Sequence, residues 1–360
     1  MPIRMAQYGV RHGHAAEKTV AMRTNPEVEF AGVYEPDPEA RARVQSRRAY
    51  SGVHWFDSFD EVLDDPSIIA VADEDANLTS LGPAREIVSN GKHLWYDKPA
   101  GDDWPAFQEI ATTARQQNLI VQMGYMFRYD EGFQYLAEWA RAGIFGPPFG
   151  FRGNMNKFLS LDQRQAGAAH RGGVFYDLAG HLLDQILWQV NDERPTRITT
   201  FFRNVATPEN PAYVDNALAV FEFEHGHAFI DVAAIDVRTW TRRFEVFGPR
   251  GGAVADPIDP VKRLRVCLDT ARDGFGPGQQ IFDLMGTSRQ RTHELELQAF
   301  LEAVRGDRPP DRPLEHELLV QETLLRATGR LPGAIAMGAT IAEAVGEAAE
   351  RPKRTTRRRT

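Results

Sequence analysis

The first third of the chain alternates short apolar runs with amphipathic stretches, and this alternation limits the folds available to it. The apolar runs predict five β-strands, at residues 3–8, 28–34, 68–72, 93–96 and 120–124. A helical pattern fills residues 103–117, between the last two strands. Because parallel strands need a crossover segment between them, strands that alternate with helices predict βαβ units and a doubly wound parallel sheet.

Beyond Tyr125 the pattern changes to long consecutive strands. A helix is predicted at 131–142, strands at 149–158, 197–204, 216–224, 227–237 and 243–247, and helices at 292–305 and 314–328. Consecutive strands favour an open, mainly antiparallel sheet. We interpret His225 and His227 as residues of a hairpin turn rather than as metal ligands, because they lie between two of these strands.

Length and charge narrow the class of protein. The 360 residues suffice for two domains. Six Lys and Arg lie in the last ten residues; without them 36 basic residues face 50 acidic ones, so the net charge of −8 becomes −14. This acidic body argues against nucleic acid as a partner, and the basic tail, 346–360, is expected to be disordered.

The remaining composition points to the cytoplasm. We find no apolar run long enough to cross a membrane and no signal-like apolar stretch at the start, so no membrane partner is expected. The single cysteine, Cys267, cannot form an intramolecular disulfide and agrees with a reducing compartment. We therefore expect a cytoplasmic protein.

One helical segment, 172–184, places an imidazole and two carboxylates on one stripe. At roughly 100° per residue, Asp177, His181 and Asp184 fall within about 60° of one another, opposite an apolar arc. Two interpretations stay open at this point. The stripe is either the solvated face of a surface helix or a proton-transfer site in which a carboxylate one turn away orients the histidine.

The end of the first strand predicts a dinucleotide-phosphate loop, because backbone N–H groups at a strand-to-helix turn bind pyrophosphate. Its candidate residues are Gly9, Arg11, His12 and Gly13. The loop departs from the pattern Gly-x-Gly-x-x-Gly, since Arg11 fills the second glycine position. After the second strand, Glu35 is predicted to accept the ribose hydroxyls, which favours NAD over NADP.

Two further strand ends carry polar residues. After the third strand, the acids 73–75 are predicted to be solvated, with Asn77 the cofactor contact. After the fourth, Tyr96-Asp97-Lys98-Pro99 places Lys98 at the same edge of the sheet, as either a turn residue or a catalytic one.

In these motifs the chain resembles the Gfo/Idh/MocA family of NAD(P)-dependent oxidoreductases. The resemblance covers most of residues 3–330 and rests on the loop around Gly9, the acid Glu35, Asp97-Lys98-Pro99, Gly124-Tyr125-x-x-Arg128 and the segment 172–184. It implies an N-terminal Rossmann dinucleotide-binding domain over 1–124 and a C-terminal α+β domain over 125–345. It also implies hydride transfer between a nicotinamide cofactor and a hydroxyl or keto position.

The resemblance also implies roles for individual residues. Lys98 corresponds to a lysine near nicotinamide and substrate, Asp177 to an acid beside the substrate, and His181 to the general acid/base. Further polar and aromatic side chains are expected to contact a sugar, glycoside or polyol: Arg128, Tyr125, Asp184 and Asn154, with Trp240 as an additional stacking surface.

Alternatives remain at the level of sequence. One is a redox-assisted glycosidase or lyase that retains its NAD, and another is a non-catalytic relative that has lost cofactor binding. A metal site is not expected on 177–184, because the stripe lacks a second histidine. The antiparallel sheet predicts a homodimer or homotetramer, with contacts at Val220, Phe229 and Ile235.

Overall fold

The computed structural model of the protein describes residues 1–167, 169–237 and 242–336. Trp240, the last part of the predicted second domain and the basic tail lie outside these residues. The first sheet has five parallel strands in the order β2-β1-β3-β4-β5. The strands are β1 Ile3–Tyr8, β2 Val28–Tyr34, β3 Ala70–Asp73, β4 His93–Tyr96 and β5 Val121–Met123. The predicted doubly wound half is confirmed.

Helices alternate with these strands because local signals begin and end them. They are α1 Ala15–Thr24, α2 Pro38–Val44, α3 Asp60–Leu63, α4 Leu81–Ser89 and α5 Trp104–Gln117. In α5, the Asp103 side chain accepts a hydrogen bond from the N–H of Ala106, and Pro105 occupies the first turn, where no N–H is needed. Asn118 ends that helix in the left-handed conformation, at φ 56°.

Among the described residues, the second sheet has nine strands in the order β13-β12-β11-β10-β6-β9-β8-β7-β14. They are β6 Gly150–Asn154, β7 Arg197–Arg203, β8 Asn216–Phe223, β9 Gly226–Ala233, β10 Arg243–Gly248, β11 Gly251–Ala255, β12 Arg263–Leu268, β13 Gly278–Asp283 and β14 Ala334–Ala336. Only the β6–β9 and β7–β14 pairs are parallel among these described strands, which confirms a mainly antiparallel sheet. The sequence did not predict β11, β12, β13 or β14. Ile235 lies beyond β9 and is bridged to Phe158.

Five α-helices complete the part of the second half that the structure describes: α6 Glu131–Arg141, α7 Leu161–Gly167, α8 Val174–Gln189, α9 Arg289–Arg305 and α10 Leu314–Ala327. Nearly every residue of α8 is buried, including His181 and Asp184 of its polar stripe, while Asp177 is half-buried. The surface-helix interpretation of this segment is therefore wrong. Leu297 and Phe300 of α9 pack against Met5 and Trp95 of the parallel sheet and tie the two halves together. Within the described residues, the structure contains no helix with the length and hydrophobicity of a membrane span.

Candidate active site

A cleft of about 590 Å³ lies between the carboxyl ends of the parallel strands and the first turns of α8. The phosphate loop, the turn after β3 and the turn after β4 contribute one wall, and α8 contributes another. Among the residues predicted from the sequence, seven line this cleft: Arg11, His12, Gly13, Asn77, Lys98, Asp177 and His181.

Lys98 and Asp177 are joined across the cleft. The Lys98 ammonium donates a hydrogen bond to the Asp177 carbonyl oxygen at 2.8 Å and lies 3.5 Å from the Asp177 Oδ1. The lysine side chain is buried, whereas that of Asp177 is 39% exposed. Burial would raise the pKa of Asp177, but the charges of Lys98 and Lys157 lower it. The pair therefore places a fixed ammonium and an ionised carboxylate at the cleft surface.

The imidazole of His181 is neutral in this setting. Burial, together with the charge of Lys98, holds the pKa of His181 well below its usual value. Its Nδ1 is buried without a hydrogen-bond partner among the described residues. Asp177 bonds to Lys98 and does not orient the imidazole, so the expected carboxylate–histidine pairing one turn apart is corrected.

Two aromatic rings pack against the imidazole of His181. The ring centroid of Phe127 lies 5.0 Å from that of His181, and the ring centroid of Tyr125 lies 6.0 Å away in an edge-on arrangement. Both aromatic side chains are buried and neither lines the cleft. Tyr125 thus packs against the imidazole, and its predicted contact with substrate is corrected.

Arg128 and Asp184 form a buried ion-pair network away from the cleft. The Arg128 guanidinium donates to the Asp184 carboxylate at 2.6 and 2.9 Å and to both oxygens of Glu317 at 2.6 and 2.7 Å. His316 adds a contact of 2.9 Å to Asp184. Since every one of these side chains is at most 1% exposed, the prediction that Arg128 and Asp184 contact substrate is corrected.

Asn154 also lies outside the cleft lining. It belongs to β6, and its side-chain amide donates to the Asp231 carboxylate of the neighbouring β9 at 2.9 Å. Its predicted contact with substrate stays a prediction, because this hydrogen bond does not test it.

The phosphate loop fits a dinucleotide despite its missing glycine. Gly9 has φ +76°, and a Cβ there would meet the Asp75 backbone N at 2.8 Å, so this position requires glycine. The N–H groups of Val10 and His12 are bonded to Glu35 and to the Glu74 carbonyl. Those of Arg11 and Gly13 have no partner among the described residues and are available to a pyrophosphate.

The acidic side chains around this loop are buried rather than solvated. Glu35 is buried and accepts from the N–H groups of Val10 at 2.8 Å and Asp37 at 2.9 Å. Burial raises the pKa of Glu35 although both bonds act to lower it. Asp75 binds the Arg11 guanidinium at 2.5 Å, and all three acids from 73 to 75 are buried. The prediction that they are solvated is wrong.

Asp97 is the centre of a buried cluster that the sequence analysis did not find. Its carboxylate lies 3.0 Å from His14 Nδ1, 3.1 Å from the Lys18 ammonium and 3.3 Å from His12 Nδ1. Burial lowers the pKa of His12, but Asp97 and Glu74 raise it to about 9. The spacing His12-x-His14-x₃-Lys18 across one helix start was the only available signal.

The same cluster is the group of described residues with metal-ligand geometry. His12, His14 and Asp97 each offer one ligand atom, and these three atoms lie within 4.8 Å of one another. The Lys18 ammonium already supplies positive charge beside this carboxylate and also lies 2.9 Å from Glu74. The absence of a metal stays a prediction.

Two family models match this chain. One, an oxidoreductase family with an NAD-binding Rossmann fold (GFO/IDH/MocA), matches residues 3–125, and the GFO/IDH/MocA C-terminal domain matches residues 133–254. The scyllo-inositol 2-dehydrogenase (NAD(+)) of Bacillus subtilis (strain 168) is 28% identical over 284 residues, 76% of this chain and 78% of that protein. The myo-inositol 2-dehydrogenase of Thermotoga maritima is 24% identical over 282 residues, with the same coverage.

A solved structure shows the same fold. The structure of GenD2 from gentamicin A biosynthesis in complex with NAD aligns with a TM-score of 0.73 over 91% of this chain and 94% of that chain. At 18% sequence identity this likeness concerns the fold alone.

Proposed function

The chain belongs to the GFO/IDH/MocA family of NAD-binding oxidoreductases, and from that premise we propose that it oxidises a hydroxyl group of a sugar, glycoside or polyol, or reduces the corresponding ketone. The observation that carries the proposal is the meeting of Lys98, Asp177 and His181 at one cleft beside the phosphate loop. The inositol dehydrogenases among its relatives support a polyhydroxylated substrate.

The cofactor has a place in this cleft. The free N–H groups of Arg11 and Gly13 would hold the pyrophosphate, Glu35 lies at the end of β2 where the ribose is expected, and Asn77 lines the cleft. When bound, NAD supplies a hydride acceptor at the nicotinamide ring.

His181 takes the proton that the hydroxyl group loses. Its Nδ1 is buried, so Nε2 is the ring nitrogen that substrate can reach. Because His181 is neutral, Nε2 can accept a proton from the substrate hydroxyl during oxidation and return it during reduction.

Lys98 stabilises the oxygen that develops negative charge. An ammonium group has three donors. One bonds the Asp177 carbonyl and another faces the Asp177 carboxylate, which leaves a third for the substrate oxygen. Asp177 fixes the direction of that donor and stands beside the substrate hydroxyls.

The test is NADH formation with a panel of inositols and sugars. We expect His181→Gln and Lys98→Met to lower kcat by roughly 10²- to 10⁴-fold while NAD binding is retained. The controls are His227→Gln and Lys262→Met, which replace exposed residues outside the cleft. Unchanged turnover in both cleft variants would refute the proposed roles, and product formation without net NADH would favour the redox-assisted glycosidase or lyase.

A further inference from the structure

Three cationic side chains line the part of the cleft that the second half of the chain contributes. Lys157 follows β6, Arg242 precedes β10 and Arg289 begins α9. Arg242 and Arg289 share one carboxylate: both approach the Asp259 Oδ2, Arg289 at 3.3 Å. Asp259 is therefore shared between two guanidinium groups.

Lys157 has no counter-ion of its own. Its backbone is fixed by a hydrogen bond from its N–H to the Ala233 carbonyl at 2.8 Å. Its ammonium has no hydrogen bond or ion pair among the described residues. Burial lowers the pKa of Lys157; the carboxylate of Asp177 raises it, and the charges of Lys98, Arg242 and Arg289 lower it further, so the net shift is downward.

The charges of this wall do not cancel. This surface of the cleft carries four cationic side chains and one carboxylate, those of Lys98, Lys157, Arg242, Arg289 and Asp177. Asp259 and Asp236 act on Arg242 from outside the lining and reduce the positive surplus without removing it. Holding several cations close together in a partly buried cleft is unfavourable unless an anion joins them.

We propose that the substrate carries an anionic oxygen group, a carboxylate or a phosphate, and that Lys157 and Arg289 bind it. The inference rests on the proposed function and names its substrate class: an acidic sugar or a phosphorylated one. Such a group anchored at Lys157 leaves the substrate hydroxyls facing Asp177 and His181 on the same cleft surface.

The cofactor does not account for this charge. The N–H groups of Arg11 and Gly13, together with the start of α1, offer the pyrophosphate its own donors on the opposite wall. NAD binding is therefore independent of Lys157.

The experiment is calorimetric titration of the NAD-saturated protein with glucose, glucuronate and glucose 6-phosphate, three probes that differ only in their charged group. We expect at least one anion to bind roughly tenfold or more tightly than glucose, as a charged hydrogen bond implies. Lys157→Gln should remove about that preference and leave the affinity for NAD unchanged. Which anion binds identifies carboxylate or phosphate as the natural group.

The matched control is Arg291→Gln, which lies in the same helical turn as Arg289 but is exposed and paired with Glu294; it should bind every probe as the native protein does. Glucose binding as tightly as both anions, no binding of any probe, or an unchanged anion affinity in Lys157→Gln would each overturn the proposal. So would a weaker affinity for NAD in Lys157→Gln, because the cations would then serve the cofactor.

Failure of the proposed function is distinguishable from failure of this inference. If the anion binds as expected but no alcohol in the panel yields NADH, the anion site stands and the proposed oxidation fails. If neutral polyols are oxidised and no anion preference exists, the oxidation stands and the anion site fails.

Discussion

His181 is a neutral imidazole beside a lysine, and this decides how its chemistry responds to pH. A base must be unprotonated to accept the hydroxyl proton, and the pKa of His181 is held well below its usual value. We therefore expect kcat for alcohol oxidation to stay level as the pH falls through about 6.5, with loss only at more acid pH. The measurement is a pH–rate profile at saturating substrate and NAD.

The Lys98→Met variant supplies the comparison for this profile. Removing the Lys98 charge raises the pKa of His181, because that charge opposes protonation. The acid limb of the residual activity should therefore move to higher pH. A native profile that already falls near pH 6.5, or an acid limb that Lys98→Met leaves in place, would contradict the assignment of His181 as the base.

The polar stripe on α8 shows what single residues reveal in a sequence and what they do not. The 100° projection correctly put Asp177, His181 and Asp184 on one side of the helix. It ignores the rise of 1.5 Å per residue, which takes Asp184 about 10 Å beyond Asp177 along the helix axis. Asp184 therefore meets Arg128 in the interior, while Asp177 and His181 stay at the cleft.

At the scale of elements, Arg128 joins the turn after β5 to α8 and α10. Its guanidinium bonds Asp184 of α8 and Glu317 of α10, all three side chains being buried. Arg128→Ala removes the guanidinium that binds the buried carboxylates of Asp184 and Glu317 and leaves their negative charges uncompensated by it, so we expect the free energy of unfolding to fall by about 3–5 kcal/mol. Urea denaturation followed by circular dichroism measures the change.

The control for this variant is Arg115→Ala, which breaks the exposed pair between Arg115 and Glu315 and should cost about 1 kcal/mol or less. If Arg128→Ala is as stable as Arg115→Ala but raises KM for the substrate, the network is not structural and Arg128 contacts the ligand after all.

The free energy of unfolding should depend on pH through His316, which lies on α10. Burial lowers the pKa of His316, but its contacts with Asp184 at 2.9 Å and Asp192 at 2.5 Å raise it above its usual value. A raised pKa in the folded state means that protonated His316 stabilises the protein fully below about pH 6.5. This contribution is lost as the pH rises through the raised pKa.

We therefore expect the stability difference between the native protein and His316→Gln to shrink as the pH is raised from about 6 to about 9. Urea denaturation at several pH values measures it, and His225→Gln, which changes an exposed histidine, should show no such trend. A difference that stays constant with pH would exclude a charged His316 in the folded protein.

The strands that the sequence analysis missed also have a physical explanation. β12 alternates Arg263, Arg265 and Cys267 with buried Leu264, Val266 and Leu268, which is the period of a half-buried strand. Its neighbours are harder to recognise, because β11 starts with two glycines and β13 with Gly-Gln-Gln. Pairing across the sheet, rather than local preference, makes these segments strands.

At the scale of the whole molecule, the open sheet predicts association with a second copy. Helices α6, α8 and α10 pack on one face of the nine-stranded sheet. On the other face, Val220 of β8 and Phe229 of β9 stand directly opposite each other and are half-buried, while their strand neighbours point into the core. Half-covered apolar side chains at the centre of a sheet are typical of a subunit interface.

We expect the protein to be a homodimer or homotetramer through this face, with a mass by light scattering of two or four times 40.4 kDa. Phe229→Glu replaces an apolar side chain opposite Val220 with a carboxylate, beside Arg152 of the neighbouring strand, and should dissociate the subunits, because charged groups are costly to bury at the centre of an interface. Met285→Glu changes a fully exposed apolar residue outside the sheet and should leave the mass unchanged.

Since Lys98, Asp177 and His181 all lie in one copy's cleft, a dissociated but folded Phe229→Glu protein should still bind NAD. A native protein of monomeric mass would refute the interface, and loss of NAD binding on dissociation would show that the cleft depends on the second copy.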